Sequence, residues 1–571
     1  MRSENGRSNS NHSRSRSRSK SKSKRPSLSS SRRNSAKSFL SLKSLDPNDG
    51  PSQFPYSFPT SPFLVASNAQ AHGSIPPLDG LSLNSTVEIP TINANLDHTL
   101  PTEYFKQDLL SIIKNLGISK WHKLPSHISN DLQIKRMSGA LTNAIYKVDP
   151  PPLQLLKNLD LHTYNYPSLL LRIYGPNIET IIDRDYELKT LVRLSKRHIG
   201  PRLFGCFTNG RIEQYLDNAI TLTKQDIMNK KTSARIARRM KELHDGIRLS
   251  FKERQNGPSV WKNIKNWEIL AGNLIKSNQL DELEIFRMSF SKFREIIQKY
   301  QEWLYARYPG TSLLESLVFC HNDTQYGNLL FTTPKSQILK SFENDVLPSS
   351  SSSVTTNFSN LSLENLKDIK PSQQEKSQDQ NLVVIDFEYS GPNPPEYDIA
   401  NHFCEWMQNY NHPTEPYKIS EDDFPSLDEQ LNLIYSYLIF QNPEFDRDLS
   451  VLEQKAKKLY NDCIAWRSSV SLLWALWAIL QNGDKKEELK QGPNGETYHI
   501  IDNIGGDETA ITSDEEEVID GSDVDNFNYI KYAIDKIKVF LGDLIQLGII
   551  EETQLTTSEG LKYLPTKMYK I

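Results

Sequence analysis

Cysteine is scarce in this sequence: four in 571 residues, Cys206, Cys320, Cys404 and Cys463, with no Cys-x-x-Cys pair among them. That spacing argues against a zinc framework or a disulfide-stapled secreted fold, and for reduced thiols in a cytosolic protein. Long apolar runs are missing too. The longest, VSLLWALWAIL from Val470 to Leu480, is too short to span a bilayer, and the N-terminus lacks the apolar core of a signal peptide. We therefore expect a soluble, cytoplasmic chain with no transmembrane segment. Nor is there an excess of one charge: the formal net charge of −3 gives the molecule as a whole no electrostatic case for binding nucleic acid.

What charge there is falls unevenly. The opening RSRSRSKSKSKRPSLSSSRRNSAK is basic and Ser-rich, whereas GGDETAITSDEEEVIDGSDVD beyond Gly505 is acidic. Both are too poor in apolar side chains to offset chain entropy, so both are expected to be disordered. A basic Arg/Ser tail can also touch RNA or anionic lipid, but a solvated, phosphorylatable tail is favoured, with Ser35 in RRNS placed for a basophilic protein kinase.

Residues 1–98 show no sustained period and read as this tail. From 99 to 216 the pattern is that of a small antiparallel sheet with a helix inserted after its third strand. PTEYFKQDLLSIIKNL is helical, LQIKRMSGALTNAIYKV is a hairpin, SLLLRIYG a strand, and IETIIDRDYELKTLVRLSKR a helix. PRLFGCFTNGRIEQYL follows as a hairpin, with Asn209-Gly210 signalling a type I′ turn. From 217 to 571 the periodicity is mostly helical. Two polar stretches, at about 334–380 and 483–525, are too long for loops of a compact domain and are expected to be disordered insertions. The fold class expected is α+β, two-lobed, with a small antiparallel-sheet N-lobe and a larger, mostly helical C-lobe.

LVFCHNDTQYGNLLFTT, residues 317–333, sets a tight polar cluster between two apolar segments. His321-Asn322-Asp323 followed by Asn328 has the H-x-D-x-x-x-x-N spacing of a protein-kinase catalytic loop, in which an Asp faces the acceptor hydroxyl and an Asn reaches a metal ion. Asp386, ending the apolar run NLVVID, stands where such a site keeps its metal-binding carboxylate, and Mg²⁺ favours hard oxygen ligands of this kind beside nucleotide phosphates. A lone HND could be a hydrogen-bonded turn; two such segments in order point to phosphoryl transfer from MgATP.

Upstream, MSGALTN could lay the backbone of Ser138, Gly139, Ala140, Leu141, Thr142 and Asn143 against phosphates, although an ordinary hairpin turn is the commoner outcome for a single glycine. Arg172 sits where a protein kinase carries its phosphate-binding Lys, and Glu187 on the next helix is placed to pair with it; two solvated surface charges would read the same way. Downstream, Trp474 and Trp477, like Tyr529 and Tyr532, are three apart and so share a helix face. Such pairs commonly pack a core, but beside a kinase site with a carboxylate such as Glu405 they suit a quaternary ammonium.

VFCHNDTQYGNLLF, VVIDFEYSGPNPPEYDIANHFCEWM and LLRIYGPN resemble the choline/ethanolamine kinase family, and the Ser-rich tail and internal insertion resemble its fungal choline kinases. The resemblance covers roughly Leu100 to Leu547 outside the insertion and the acidic loop. It implies a eukaryotic protein-kinase-like fold, Mg²⁺ as cofactor, ATP and choline as substrates, and the first step of phosphatidylcholine synthesis by the CDP-choline pathway. It implies Asp323 as catalytic base, Asn328 and Asp386 at the metal, Gln325 near nucleotide and acceptor, and Arg172 and the 138–143 turn at phosphates. Gln214, Tyr215 and Leu216 would form the hinge beside adenine, and Tyr389, Glu405, Tyr410, Trp474, Trp477, Tyr529 and Tyr532 the choline pocket. The phosphate turn departs from the family, which often carries two adjacent glycines where this chain has Ser138-Gly139-Ala140. A homodimer is left open. The rival readings are an ethanolamine or dual-specificity kinase, and a catalytically idle kinase-like scaffold, against which the intact Asp323, Asn328 and Asp386 argue.

Overall fold

The computed structural model describes residues 38–40, 89–137, 143–174, 184–197, 199–332, 370–440, 449–483, 489–491, 497–499 and 527–571. Ser35 and the turn residues Ser138, Gly139, Ala140, Leu141 and Thr142 lie outside them, as does the side chain of Asn143.

The N-terminal half builds one seven-stranded sheet from β1 (Ser38–Leu40), β2 (Ile89–Ile92), β3 (Gln133–Met137), β4 (Asn143–Asp149), β5 (Leu169–Tyr174), β6 (Leu203–Phe207) and β7 (Gly210–Gln214). The order is β1-β2-β6-β7-β5-β4-β3. All pairings are antiparallel except that of β2 on β6. The central strand β5 buries Leu169, Leu171 and Ile173 on one face and Arg172 on the other, as alternation along a strand dictates. Three α-helices accompany the sheet among the described residues, the short Leu153–Asn158 and two longer ones. In α1 (Thr102–Leu116), Phe105, Leu109, Ile112, Ile113 and Leu116 recur at helical spacing and are buried. Gly117, at φ 68°, ends that helix by donating to Lys114 while Ile118 donates back to Ile113, a Schellman closure that calls for glycine. α2 (Arg184–Lys196) is the helix inserted after β5.

Two expectations need correction here. Ser38–Leu40 and Ile89–Ile92, both assigned to the tail, belong to the sheet, with Phe39 opposite Pro90, Thr91 opposite Cys206 and Ile92 opposite Phe207. A four-residue strand is too short to show a period of its own, and its anchor is distant: the Asn209 side chain clasps both the N–H and the C=O of Leu96 at 2.9 Å. The β6–β7 loop is Thr208-Asn209, not Asn209-Gly210, and positive φ among the described residues lies elsewhere, so no type I′ turn forms. Gly210 is required for packing instead, since a Cβ there would meet the Arg172 carbonyl at 2.4 Å.

The C-terminal half is mostly helical and, besides one short pair described below, its described residues hold two small sheets. β8 (Ile220–Thr221), β10 (Leu329–Phe331) and β11 (Leu382–Val384) form one, and β9 (Val318–Cys320) with β12 (Gly391–Asn393) the other. Around them pack α3 (Lys230–Gly246), α4 (Ser259–Ser277), α5 (Phe290–Tyr305), α6 (Gln373–Asp379), α7 (Pro395–Glu405), α8 (Leu427–Ile439), α9 (Leu449–Gly483) and α10 (Tyr529–Gln546). α9 is long and apolar enough to cross a membrane, but its apolar window is buried inside the protein, which makes it the core helix of this half. Arg467 of α9 forks Asp543 of α10 at 2.9 and 2.6 Å.

The expected insertion at 334–380 is partly built: Ser372 and Glu375 form a capping box that starts α6, and Asp379 at its end is forked by Arg238 of α3 at 2.6 and 2.8 Å. Within 483–525 the described residues form one short antiparallel pair, Leu489–Gln491 with Thr497–His499. The α+β architecture, a sheet-rich N-lobe joined to a helical C-lobe, is the one expected.

Candidate active site

Strand pairing brings the two chemical segments together. β9 leads into residues 321–328 and β10 leads out; β11 leads into 385–390 and β12 leads out. Because Leu329 lies opposite Val384 and Cys320 opposite Gly391, the two connecting loops emerge side by side. They are then stitched directly, Ile385 N–H donating to the Asn328 carbonyl at 3.0 Å and His321 Nε2–H to the Ile385 carbonyl at 2.8 Å. His321 Nδ1 thus accepts, from Asp323 N–H at 3.3 Å, and burial holds this imidazole below its ordinary value and neutral. Asn322 and Asp386 both adopt left-handed backbone, φ 68° and 62°. Such conformations in non-glycine residues are costly and concentrate where a site over-determines them.

Asp323 is held by the partner that spacing predicts. Asn328 Nδ2 donates to the Asp323 carbonyl at 2.9 Å and to its Oδ2 at 2.8 Å. Burial, then the Glu405, Asp386 and Glu388 carboxylates, push the Asp323 carboxyl well above the usual carboxylate range. With its Nδ2 spent on Asp323, Asn328 offers Oδ1 to a cation, and Asp386 adds a quarter-exposed carboxylate. Two hard oxygen donors of this kind fit Mg²⁺.

The loop hangs from a carboxylate that sequence reasoning missed. Asp398 on α7 accepts from His321 N–H at 3.0 Å, Asn322 N–H at 2.8 Å, Thr324 Oγ1 at 3.3 Å and His244 Nε2 of α3 at 2.9 Å, and His244 Nδ1 meets the Tyr437 hydroxyl at 2.8 Å. Burial would raise its pKa, but the hydrogen bonds from His244 and from the Asn322 amide outweigh it and hold the group below the ordinary value. A second missed anchor is Asn393, which donates to Asn322 Oδ1 at 2.8 Å and to Ser259 at 3.0 Å, while Asn322 donates to the Tyr389 carbonyl at 2.9 Å.

On the N-lobe side, Arg172 reaches across to Asp386 at 3.0 Å and stands 4.0 Å from Glu388. Its buried Nε has no hydrogen-bond partner among the described residues. The expected pairing with Glu187 is corrected: Glu187 binds Arg211 at 2.6 Å, and Arg211 also pairs with Glu213. Arg172 and Arg211 are directly opposite on β5 and β7, so the two cations share a face and divide the available carboxylates between the lobes. Gln214, Tyr215 and Leu216, half-buried, carry the chain out of β7, with Tyr215 N–H donating to the Ser168 carbonyl. Gln325 sits at the start of the short helical turn Tyr326–Asn328, within the same loop as Asp323.

The aromatic residues gather around Tyr389, in the loop that carries Asp386. Tyr389 packs edge-on against Trp474 with ring centres 5.1 Å apart, Trp474 against Trp477 at 5.6 Å, and Trp477 against Tyr529 at 5.8 Å and Tyr532 at 6.5 Å. Two indoles are fixed by hydrogen bonds, Trp477 to the Tyr389 hydroxyl at 2.8 Å and Trp474 to Asn401 at 3.0 Å. Tyr410 donates to Glu405 at 2.8 Å. Trp267 of α4, edge-on to Tyr389 at 6.4 Å, and Lys536 of α10 complete the cluster. Neither was singled out from sequence, although Lys536 lies one helical turn beyond Tyr532.

Comparison with known proteins gives the same assignment. A family model described as Choline/ethanolamine kinase matches residues 134–541, and one described as Choline kinase N terminus matches 80–130. The choline kinase of Saccharomyces cerevisiae is 42% identical over 506 residues, 85% of this chain and 84% of the relative. The ethanolamine kinase of the same yeast is 35% identical over 494 residues, 82% of each. The crystal structure of choline kinase from Cryptosporidium parvum Iowa II matches with a TM-score of 0.50 at 22% identity, covering 78% of this chain and 98% of that one, and so shares the protein-kinase-like fold. This chain belongs to the choline/ethanolamine kinase family.

Proposed function

We propose that this protein transfers the γ-phosphoryl group of MgATP to the hydroxyl of choline, giving phosphocholine, in the cytoplasm. The observation that carries the proposal is the grouping of Asp323 both with Asp386 and with Glu405, the buried carboxylate of the aromatic cluster, each close enough to push the Asp323 carboxyl up. The yeast choline kinase, at 42% identity, supports choline as the acceptor.

In this mechanism Asp323 Oδ2 is tied to Asn328, which leaves Oδ1 to receive the hydroxyl proton as the O–P bond forms. A carboxyl raised by burial and by neighbouring carboxylates is the stronger base for that transfer. Arg172, whose buried Nε–H has no partner among the described residues, would bind phosphate oxygens, and the 138–143 turn would cover them. Mg²⁺ held by Asn328 and Asp386 would neutralise phosphate charge and offset the carboxylate repulsion around Asp323. The aromatic faces of Tyr389, Trp474, Trp477 and Tyr532 would surround the trimethylammonium, a cation that can be bound only by apolar contact, ring faces and distant charge.

The test is one assay: choline and ethanolamine at equal concentration with labelled ATP, on the wild type and on Asp323→Ala. We expect phosphocholine as the main product of the wild type and a loss of at least about 10³-fold in the variant. Ethanolamine as the preferred acceptor would replace choline in the proposal, and no product from either would favour an idle scaffold.

A further inference from the structure

The Glu405 carboxylate beside the aromatic wall is already provided with partners on both oxygens. Oε2 accepts the Tyr410 hydroxyl at 2.8 Å. Oε1 faces Lys536 Nζ at 3.9 Å, and both residues are only 1% exposed. The ammonium lies 5.1 Å from the centre of the Tyr532 ring, so it takes up one aromatic face as well. Lys536 is therefore an internal ammonium ion, of the same chemistry as a primary-amine acceptor and permanently attached beside it.

We propose that Lys536 sets acceptor specificity, by occupying the ion-pairing capacity of Glu405 so that an incoming cation is selected through aromatic contact instead of hydrogen bonding. The argument rests on the acceptor pocket proposed above. A primary ammonium binds well where its three N–H groups find acceptors, and it loses the cost of stripping its water where they do not. Here the Glu405 carboxylate is engaged by the Tyr410 hydroxyl through a hydrogen bond and by the Lys536 charge 3.9 Å away. A trimethylammonium has no N–H to satisfy and gains from each methyl group laid on Trp474, Trp477 or Tyr389. Removing the Lys536 charge returns Oε1 to the acceptor and helps only a cation that can donate to it.

The experiment compares kcat/KM for choline and for ethanolamine in the wild type, Lys536→Met and Lys536→Arg. We expect the choline-to-ethanolamine ratio to fall at least about tenfold in Lys536→Met, a hydrogen bond to a charged group being worth that much, and to be retained in Lys536→Arg. An unchanged ratio in Lys536→Met, or an equal loss for both substrates, overturns the proposal, because a merely structural lysine would depress both alike. A second measurement needs no variant: the wild type is given ethanolamine, its N-methyl and N,N-dimethyl derivatives and choline. Efficiency should rise at every methyl, including the last, which removes the final N–H. A fall at that last step means that Glu405 does accept a hydrogen bond from the substrate, and the proposal fails. A wild type that phosphorylates none of the four amino alcohols refutes the proposed function itself, an outcome distinct from either failure above.

Discussion

Replacing Asp398 by Asn removes one charge and one acceptor from the node on which the catalytic loop hangs. Oδ2 serves His244 Nε2 and His321 N–H; Oδ1 serves Asn322 N–H and Thr324 Oγ1. Asn keeps a single oxygen. Placing its amide nitrogen at the Oδ2 position costs least, since His244 can change tautomer and accept from it, donating from Nδ1 to Tyr437. His321 N–H has no such escape and is left buried without an acceptor, at about 1–3 kcal/mol, and the two bonds that survive drop from charged to neutral at about 1 kcal/mol each. The sum is about 3–5 kcal/mol. The strain falls on the backbone that places Asp323, and a misplacement of about 1 Å there costs roughly 10² in rate. We therefore expect Asp398→Asn to melt several degrees lower and to lose about 10²-fold in kcat, read by thermal unfolding and by phosphate-transfer assay. Asp398 is held below its ordinary pKa, so its stabilisation is present above the unfolded value of about 4 and is lost as pH falls through the folded value; the stability gap between wild type and variant should narrow below about pH 4. A variant with an unchanged melting temperature and kcat within about threefold of wild type would refute the assignment of Asp398 as the loop's anchor.

Trp477→Phe keeps an aromatic face but loses the hydrogen bond to Tyr389; the KM for choline should rise several-fold with kcat nearly unchanged, measured by steady-state kinetics. Arg211→Met leaves Glu187 and Glu213 buried without their shared cation, and should destabilise the N-lobe by about 3–5 kcal/mol in chemical unfolding. Gly542→Ala would drive a methyl group to 2.1 Å from the Lys562 carbonyl; because backbone must move, we expect a loss of more than about 2 kcal/mol and easier proteolytic removal of the C-terminal segment.

The catalytic loop was legible because its geometry is local. Asp323 and Asn328 are five residues apart, their hydrogen bond lies within one loop, and the apolar strands on either side announce themselves. Asp386 was legible as the polar end of such a strand. Asp398, by contrast, lies 76 residues from the Asn322 amide and 154 from His244; each is a common residue type whose meaning appears only when α3 and α7 pack. Glu187 illustrates the same limit from the other side. Its helix was found, but two arginines stand opposite each other on adjacent strands, and strand order, not spacing, decided that Glu187 meets Arg211: β7 lies between β5 and β6, on which α2 packs. Lys536 was overlooked because a lysine in a helix ordinarily signals solvent; its burial follows from the packing of α10 on α9 and α7.

Both chemical loops leave the same end of the β10–β11 pair, and the chain between these strands departs from the other end, after Thr332, where Thr332 N–H is closed onto the Asn381 carbonyl at 2.9 Å. Three paired residues, about 10 Å of strand, thus separate that connection from Asp323 and Asp386. Closure cost grows slowly with the length of a connection, by about 0.6 kcal/mol per doubling, so a change in the length of this one should weigh little on the chemistry. The connection between these strands therefore enters and leaves the protein on the side turned away from the reaction centre, and an affinity tag or a protease site introduced into it is expected to leave turnover unchanged.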